Sequence, residues 1–283
     1  MESYDKKVLF SSLAKKEKED IKDFISYRDR VYMKRLDKKE IFNLQRALNI
    51  INNQEEELQE NRLINLWAVL EYTLTFHEGL SIISKVKDII PKLVCLYIFK
   101  DKLNIFWYRL FNFKDRKIKI VDDFIEECKQ ETSEYYYDFE KLTSFILKKG
   151  HSLIKDFDFN DVLKRDIAEI GMILSNSEFR SRFIKIKEEE IRCDLIRIYR
   201  IRNILIHSSK EIKSNLDHKS LRLYQYNHSL LGLIIYYKNK NPESTIGEIL
   251  NSINYTYQKY LQILDNNDAS AKEICKPDYL FIG

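Results

Sequence analysis

The chain has 283 residues, 44% of them hydrophobic and 33% charged, a composition able to bury one large core or two modest ones. Six glycines and three prolines leave little material for tight hairpins, glycine-rich phosphate loops or the many turns of an all-β sandwich, and so point to helices. A net charge of +4 and a pI near 8.6 are too mild to establish a polyanionic partner, so local charge has to decide.

The four cysteines (Cys95, Cys128, Cys193 and Cys275) lie far apart, with no C-x-x-C and no Cys/His cluster at zinc-ligand spacing, and read as the reduced thiols of a cytoplasmic protein. The N-terminal stretch MESYDKKVLFSSLAKKEKED lacks the apolar centre of a signal peptide. No stretch reaches the length needed to cross a bilayer, so no membrane partner is expected.

In chain order, residues 1–38 read as an N-terminal helical extension. KEIFNLQRALNIINNQ (39–54) and ENRLINLWAVLEYTLTF (60–76) follow as two amphipathic helices with a period near 3.6. More helices are expected through GLSIISKVKDIIPKLVCLYIFKDKLNIFWYRLF, with Pro91 in a first turn or at a kink. Residues 112–160, richer in charge and tyrosine, predict helices in RKIKIVDDFIEECKQ and EYYYDFEKLTSFILKK with a boundary at Gly150, and read as an insertion. A long helix is expected from about Ile186 to HSSKEIKSN. Two more follow in LDHKSLRLYQYNHSLLGLIIYY and TIGEILNSINYTYQKYLQIL, and then an irregular tail over 266–283. With no repeat and no low-complexity linker, one principal all-α domain over 39–265 is the simplest partition.

The stretch YRIRNILIHSS (199–209) places polar residues in an aliphatic helix. On a helical wheel at about 100° per residue, Asn203 and Arg200 fall within about 40° of His207, and Arg192 and Arg197 within about 80°. These residues form a basic face, either a solvated surface or a seat for phosphates. The neighbouring RSRFIKIK (Arg180 to Lys187) is a further candidate for holding flanking phosphates. Ile191, Leu195, Ile198, Ile201, Leu205 and Ile206 occupy the opposite arc, and Arg202 lies among them, about 140° from His207. A charge on an apolar face calls for a partner. Glu71 interrupts the stripe of Leu63, Ile64, Trp67, Leu70 and Leu74 in the same way, so the two helices are expected to pack with Glu71 against Arg202. Such a pair either fixes helix register or holds the guanidinium for chemistry.

Other motifs carry less. The aromatic run EYYYDF (134–139) reads first as packing, with base stacking as the alternative. His77-Glu78 begins like H-E-x-x-H, but position 81 is Ser, which excludes that zinc site. His151, His218 and His228 have no partners at useful spacing, and the missing glycine loops disfavour kinase, P-loop and dinucleotide-binding enzymes.

RNILIH (Arg202, Asn203, His207) resembles the R-N-x-x-x-H form of the R-x(4 to 6)-H signature of HEPN domains. RALNIINN and ENRLINLWAVLE upstream, DLIRIYRIRNILIHSS at the motif, and YQYNHSLLGLII with TIGEILNSINYTYQKYLQIL downstream resemble the Apea-like HEPN branch in order and spacing. The likeness spans about 39–265, with 112–160 and 1–38 outside it. It implies a HEPN-type helical bundle with additional helices, acting as a homodimeric, metal-independent endoribonuclease with no cofactor. It also implies a place in antiviral defence or toxin-type growth arrest, with an antitoxin or sensor protein as a further partner.

In that reading His207 moves a proton near neutral pH, Arg202 meets the developing phosphorane charge, and Asn203 orients the imidazole or donates to a phosphate oxygen. Glu71 holds Arg202, while Arg200, Arg197 and Arg192 bind flanking phosphates of the RNA. Arg200 becomes the catalytic arginine if Glu71 does not reach Arg202. The rival reading is a non-catalytic HEPN module that dimerises and binds RNA, nucleotide or a partner protein.

Overall fold

The computed structural model describes residues 38–53, 58–77, 81–116, 118–131, 133–157, 159–207 and 215–275. Among the described residues the order is α1 (Lys38–Asn53), α2 (Gln59–Leu74), α3 (Ile82–Phe111), a 3₁₀ turn (Lys114–Arg116), α4 (Lys119–Cys128), β1 (Lys129–Gln130) and β2 (Ser133–Tyr137). Then come α5 (Phe139–Asp156), α6 (Asp161–Ser175), α7 (Ser177–His207), α8 (Leu216–Lys240), α9 (Ile246–Asp265) and α10 (Ala271–Cys275). The fold is all-α, with one small antiparallel hairpin, β1–β2. No helix among the described residues is long and apolar enough to cross a membrane. The expected extension over 1–38 lies almost wholly outside the described residues.

Several helices begin where side chains satisfy the free N–H groups of a first turn. Asp138, Asn160 and Asn215 cap α5, α6 and α8 by accepting from backbone amides. Thr245 with Glu248, and Ser270 with Glu273, form reciprocal capping boxes at the starts of α9 and α10.

The described chain divides into two compact units, residues 38–93 with 191–255 and residues 94–190 with 256–275. Both halves of each of α3, α7 and α9 are helical across the division, so no Gly, Pro or Ser-rich linker marks it in the sequence.

In the first unit, Leu44, Ala47, Leu48 and Ile51 of α1 recur at helical spacing and are buried, as are Leu63, Leu66, Trp67, Leu70 and Leu74 of α2. The α2 helix packs on α1 and on α8. The fully buried Asn227 of α8 donates to the Leu66 carbonyl at 2.7 Å. Asp194 of α7, also buried, accepts from Arg222 at 3.1 Å and from the Tyr226 hydroxyl at 3.3 Å. Glu40 and Lys238 form a buried ion pair at 3.0 Å, and the second Glu40 oxygen accepts the Ile246 N–H at 2.8 Å, so a carboxylate of α1 caps α9. Gly247 lies so close to the turn after α2 that a Cβ there would meet the Phe76 carbonyl oxygen at 2.9 Å.

In the second unit, an aromatic core gathers on Phe124, whose ring centroid is 5.8 Å from Phe106, 4.5 Å from Phe145 and 6.2 Å from Phe157. Several expectations change in detail. Pro91 sits well inside the 30-residue α3 rather than in its first turn, among buried Ile89, Ile90 and Leu93. SEYYY is strand rather than helix, and Gly150 lies within α5 rather than at a boundary. The long helix α7 starts at Ser177 rather than near Ile186, and α6 precedes it. The tail, expected to be irregular, carries α10, which buries Ile274 and Cys275.

Candidate functional site

The described site residues belong to α2 and the last four turns of α7, both in the first unit. Arg202 Nη2 donates to Glu71 Oε1 at 3.3 Å, the pairing expected from the two interrupted stripes. The same carboxylate oxygen accepts the indole N–H of Trp67 at 3.0 Å. Trp67 is fully buried and its ring lies 5.2 Å from that of Tyr199, tilted by 40°. One turn of α2 (Trp67, Glu71) thus meets one turn of α7 (Tyr199, Arg202) through a ring contact and an ion pair.

On the other side of the guanidinium, Nη1 donates to Asn203 Oδ1 at 3.1 Å. The Nε atom is buried and has no hydrogen-bond partner among the described residues. The Arg202 and Glu71 side chains are 22% and 33% exposed, so the pair sits at the edge of the packing rather than inside it. An arginine carries five N–H donors. Two are engaged and one is enclosed at Nε, leaving one N–H on each terminal nitrogen for a further oxygen acceptor.

His207 is the last residue of α7 and is exposed. Among the described residues no hydrogen bond holds it. It lies about 7.5 Å further along the helix axis than Arg202 and about 140° round from it. Ile206 beside it is exposed and Ile201 and Leu205 are half-buried, so the apolar stripe that buries Ile191, Leu195 and Ile198 is less enclosed over the last turns. Ile206 is therefore not a core residue, contrary to its place on the wheel.

Arg197 and Arg200 are exposed on the basic face, and Arg192 is half-buried and engaged by other groups. Phosphate binding through RSRFIKIK is corrected at its first residue. Arg180 is 0% exposed and donates through Nε to the Leu264 carbonyl at 2.7 Å and through Nη2 to the Asn266 carbonyl. Lys187, at the end of the same stretch, pairs with Glu190 at 2.6 Å.

Two members of the arrangement escape a wheel drawn for charge alone, Trp67 and Tyr199. Their positions four residues before Glu71 and three before Arg202 put each on the same helix face as the charge it supports, a readable signal.

Comparisons with family models, with curated proteins and with solved structures found no match to this chain.

Proposed function

We propose that the α7 motif cleaves RNA by attack of a ribose 2′-oxygen on the adjacent phosphorus. The observation that carries this reading is the Arg202 guanidinium, fixed through Nη2 by Glu71 and through Nη1 by Asn203 while two terminal N–H groups remain for phosphate oxygens. As the O2′–P bond forms, the 2′-hydroxyl proton passes to a base. The P–O5′ bond breaks, and the leaving 5′-oxygen takes a proton from an acid. The products are a 2′,3′-cyclic phosphate and a 5′-hydroxyl, with no oxidant or co-reactant.

An imidazole suits either proton transfer, and His207 is exposed where RNA can reach it. Because Arg202 and His207 diverge on their helix, one copy supplies a poorly convergent pair. A two-fold homodimer that brings a second Arg202 and His207 to the same phosphate resolves this, with exposed Ile206 at the same end of the helix. Arg197 and Arg200 then hold flanking phosphates. An antitoxin or sensor protein would act by covering this end of α7, and a role in antiviral defence or growth arrest would follow from that restraint.

The test is incubation of the purified protein with total RNA in the presence of chelator, beside His207→Ala. Cleavage to cyclic-phosphate ends by the first and not the second, with a 2′-deoxy substrate resisting, is the expected result. Equal activity of the two proteins sinks the assignment. Light scattering should find a dimer at working concentration, and an active monomer contradicts the two-fold arrangement.

The second reading, a HEPN-like module that binds RNA, nucleotide or a partner without cleaving, draws on the same divergence of Arg202 and His207. It predicts salt-dependent RNA binding that survives in His207→Ala, with no cyclic-phosphate product from either protein.

A further inference from the structure

The aromatic run of residues 134–139 was open to two readings, packing or stacking, and burial separates them. Phe139 is buried and Tyr137, half-buried, lies 5.8 Å from the Trp107 ring, so these two pack, whereas Tyr135 is 67% exposed. Its strand is nonetheless held firmly. Trp107 of α3, almost fully buried, donates its indole N–H to the Tyr135 carbonyl at 3.1 Å, and Tyr137 on the same face of β2 donates its hydroxyl to Asn104 at 2.7 Å. The Tyr135 ring therefore stands on a fixed backbone, 5.3 Å from the ring of Phe111.

Cations accompany these rings. The Lys114 ammonium lies 5.4 Å from the Phe111 centroid, and the Arg116 guanidinium 4.6 Å from that of Phe113. Phe113 in turn meets Phe159, itself 42% exposed, at 5.7 Å. The segment 114–119 reads KDRKIK, four cations to one carboxylate.

Two exposed rings, Tyr135 and Phe159, each backed by a half-buried ring that carries a cation, match one ligand chemistry, unpaired bases joined by phosphates. A duplex hides its base faces, and an apolar peptide has no use for the cations. We propose that this face of the second unit binds single-stranded nucleic acid, with bases stacking on Tyr135 and Phe159 and phosphates meeting Lys114 and Arg116. This surface goes beyond the α7 motif and does not depend on its cleaving RNA.

The experiment uses the full chain carrying His207→Ala, so that substrate stays intact, and fluorescence anisotropy of labelled twelve-nucleotide RNA, the same sequence in DNA, and its duplex. Binding of either single strand, weaker for the duplex and weakened by salt, is expected. Tyr135→Ala should raise the Kd about tenfold, as loss of one stacked base does, and Tyr135→Phe should stay within about twofold because the ring remains. Lys114→Glu with Arg116→Glu should raise the Kd and flatten its salt dependence. Tyr136, 55% exposed on the opposite face of the strand, is the control, and Tyr136→Ala should leave the Kd unchanged.

An unchanged Kd in a Tyr135→Ala protein with the parent's melting temperature overturns the proposal. So does a duplex bound as tightly as single strands, or an equal loss in Tyr136→Ala. Cleavage by the chain with His207 intact would persist in the first of these outcomes, which separates failure of this surface from failure of the α7 reading.

Discussion

Two arginines at opposite ends of α7 have been put to different use. Arg180, near the start, is wholly enclosed, and its fork is directed at the Leu264 and Asn266 carbonyls at the C-terminal end of α9. Arg202, near the end, is partly open and is gripped by a carboxylate and a side-chain amide, with N–H groups to spare. The first satisfies two carbonyls at a helix end, that of buried Leu264 and that of exposed Asn266. The second is oriented without being consumed. Charge and sequence context do not distinguish them. Burial and the identity of the acceptors do.

The contrast should appear first in stability. Arg180→Ala leaves two carbonyls without their donor and a cavity behind, at a cost of about 3 to 5 kcal/mol. Urea unfolding should locate that loss, and Arg180→Lys should recover little of it, because one ammonium does not reproduce the fork. Arg202→Ala should do the reverse. Cleavage should fall about 10²- to 10³-fold, as on removal of a transition-state donor, while stability changes by no more than about 1 kcal/mol for a partly exposed pair. An Arg202→Ala protein that cleaves normally but melts early would make the two arginines alike and end the distinction.

A smaller effect belongs to Glu71, where stability and orientation meet. Glu71→Ala leaves the buried Trp67 indole N–H without its acceptor, costing about 1 to 3 kcal/mol. Glu71→Gln retains an acceptor and should cost less, while both variants loosen Arg202 and lower cleavage about tenfold. If Glu71→Gln costs as much stability as Glu71→Ala, the indole is not the group that matters.

The smallest effect is one of pH, and it concerns the segment that follows the carbonyls Arg180 holds. The Ser270 hydroxyl and backbone N–H, bonded to Glu273, hold its carboxyl below the ordinary value of 4.5. A depressed carboxyl contributes stability above its unfolded pKa and loses it as pH falls through the folded one. Glu273→Gln should therefore flatten the acid limb of a stability curve below about pH 4.5. The Arg180 contacts, made to carbonyls that do not titrate, should add no slope there, and Arg180→Lys should leave the acid limb's shape unchanged.

The sequence made the helices legible where one face alone was apolar. The stripes of α1 and α2 and the extents of α8 and α9 follow from periodicity, and the interrupted stripes of α2 and α7 were enough to bring Glu71 to Arg202. It was less informative where tertiary contacts overrode local signals. Pro91 and Gly150 look like punctuation, yet both lie inside helices, Pro91 among buried Ile89, Ile90 and Leu93 and Gly150 between buried Ile146 and Leu153. SEYYY has the aromatic content of a strand, which the surrounding charged helices obscured. Ser270-Ala-Lys-Glu273 is a capping-box pattern in plain view, too short to stand out without the buried Ile274 and Cys275 behind it. Arg180 could not be separated from Arg197 and Arg200 by type or neighbours, because its acceptors lie 84 and 86 residues away.

The buried Glu40–Lys238 pair joins residues 198 apart in the chain, and the capped Ile246 amide makes a third party to it. Neither charge can change alone without stranding the other in the core, whereas an apolar pair of similar volume costs far less. Inheritance should record this. Among natural variants of the chain, positions 40 and 238 should change together or not at all, and a lone neutral residue at 238 should be accompanied by a short polar residue at 40 that still accepts the Ile246 N–H.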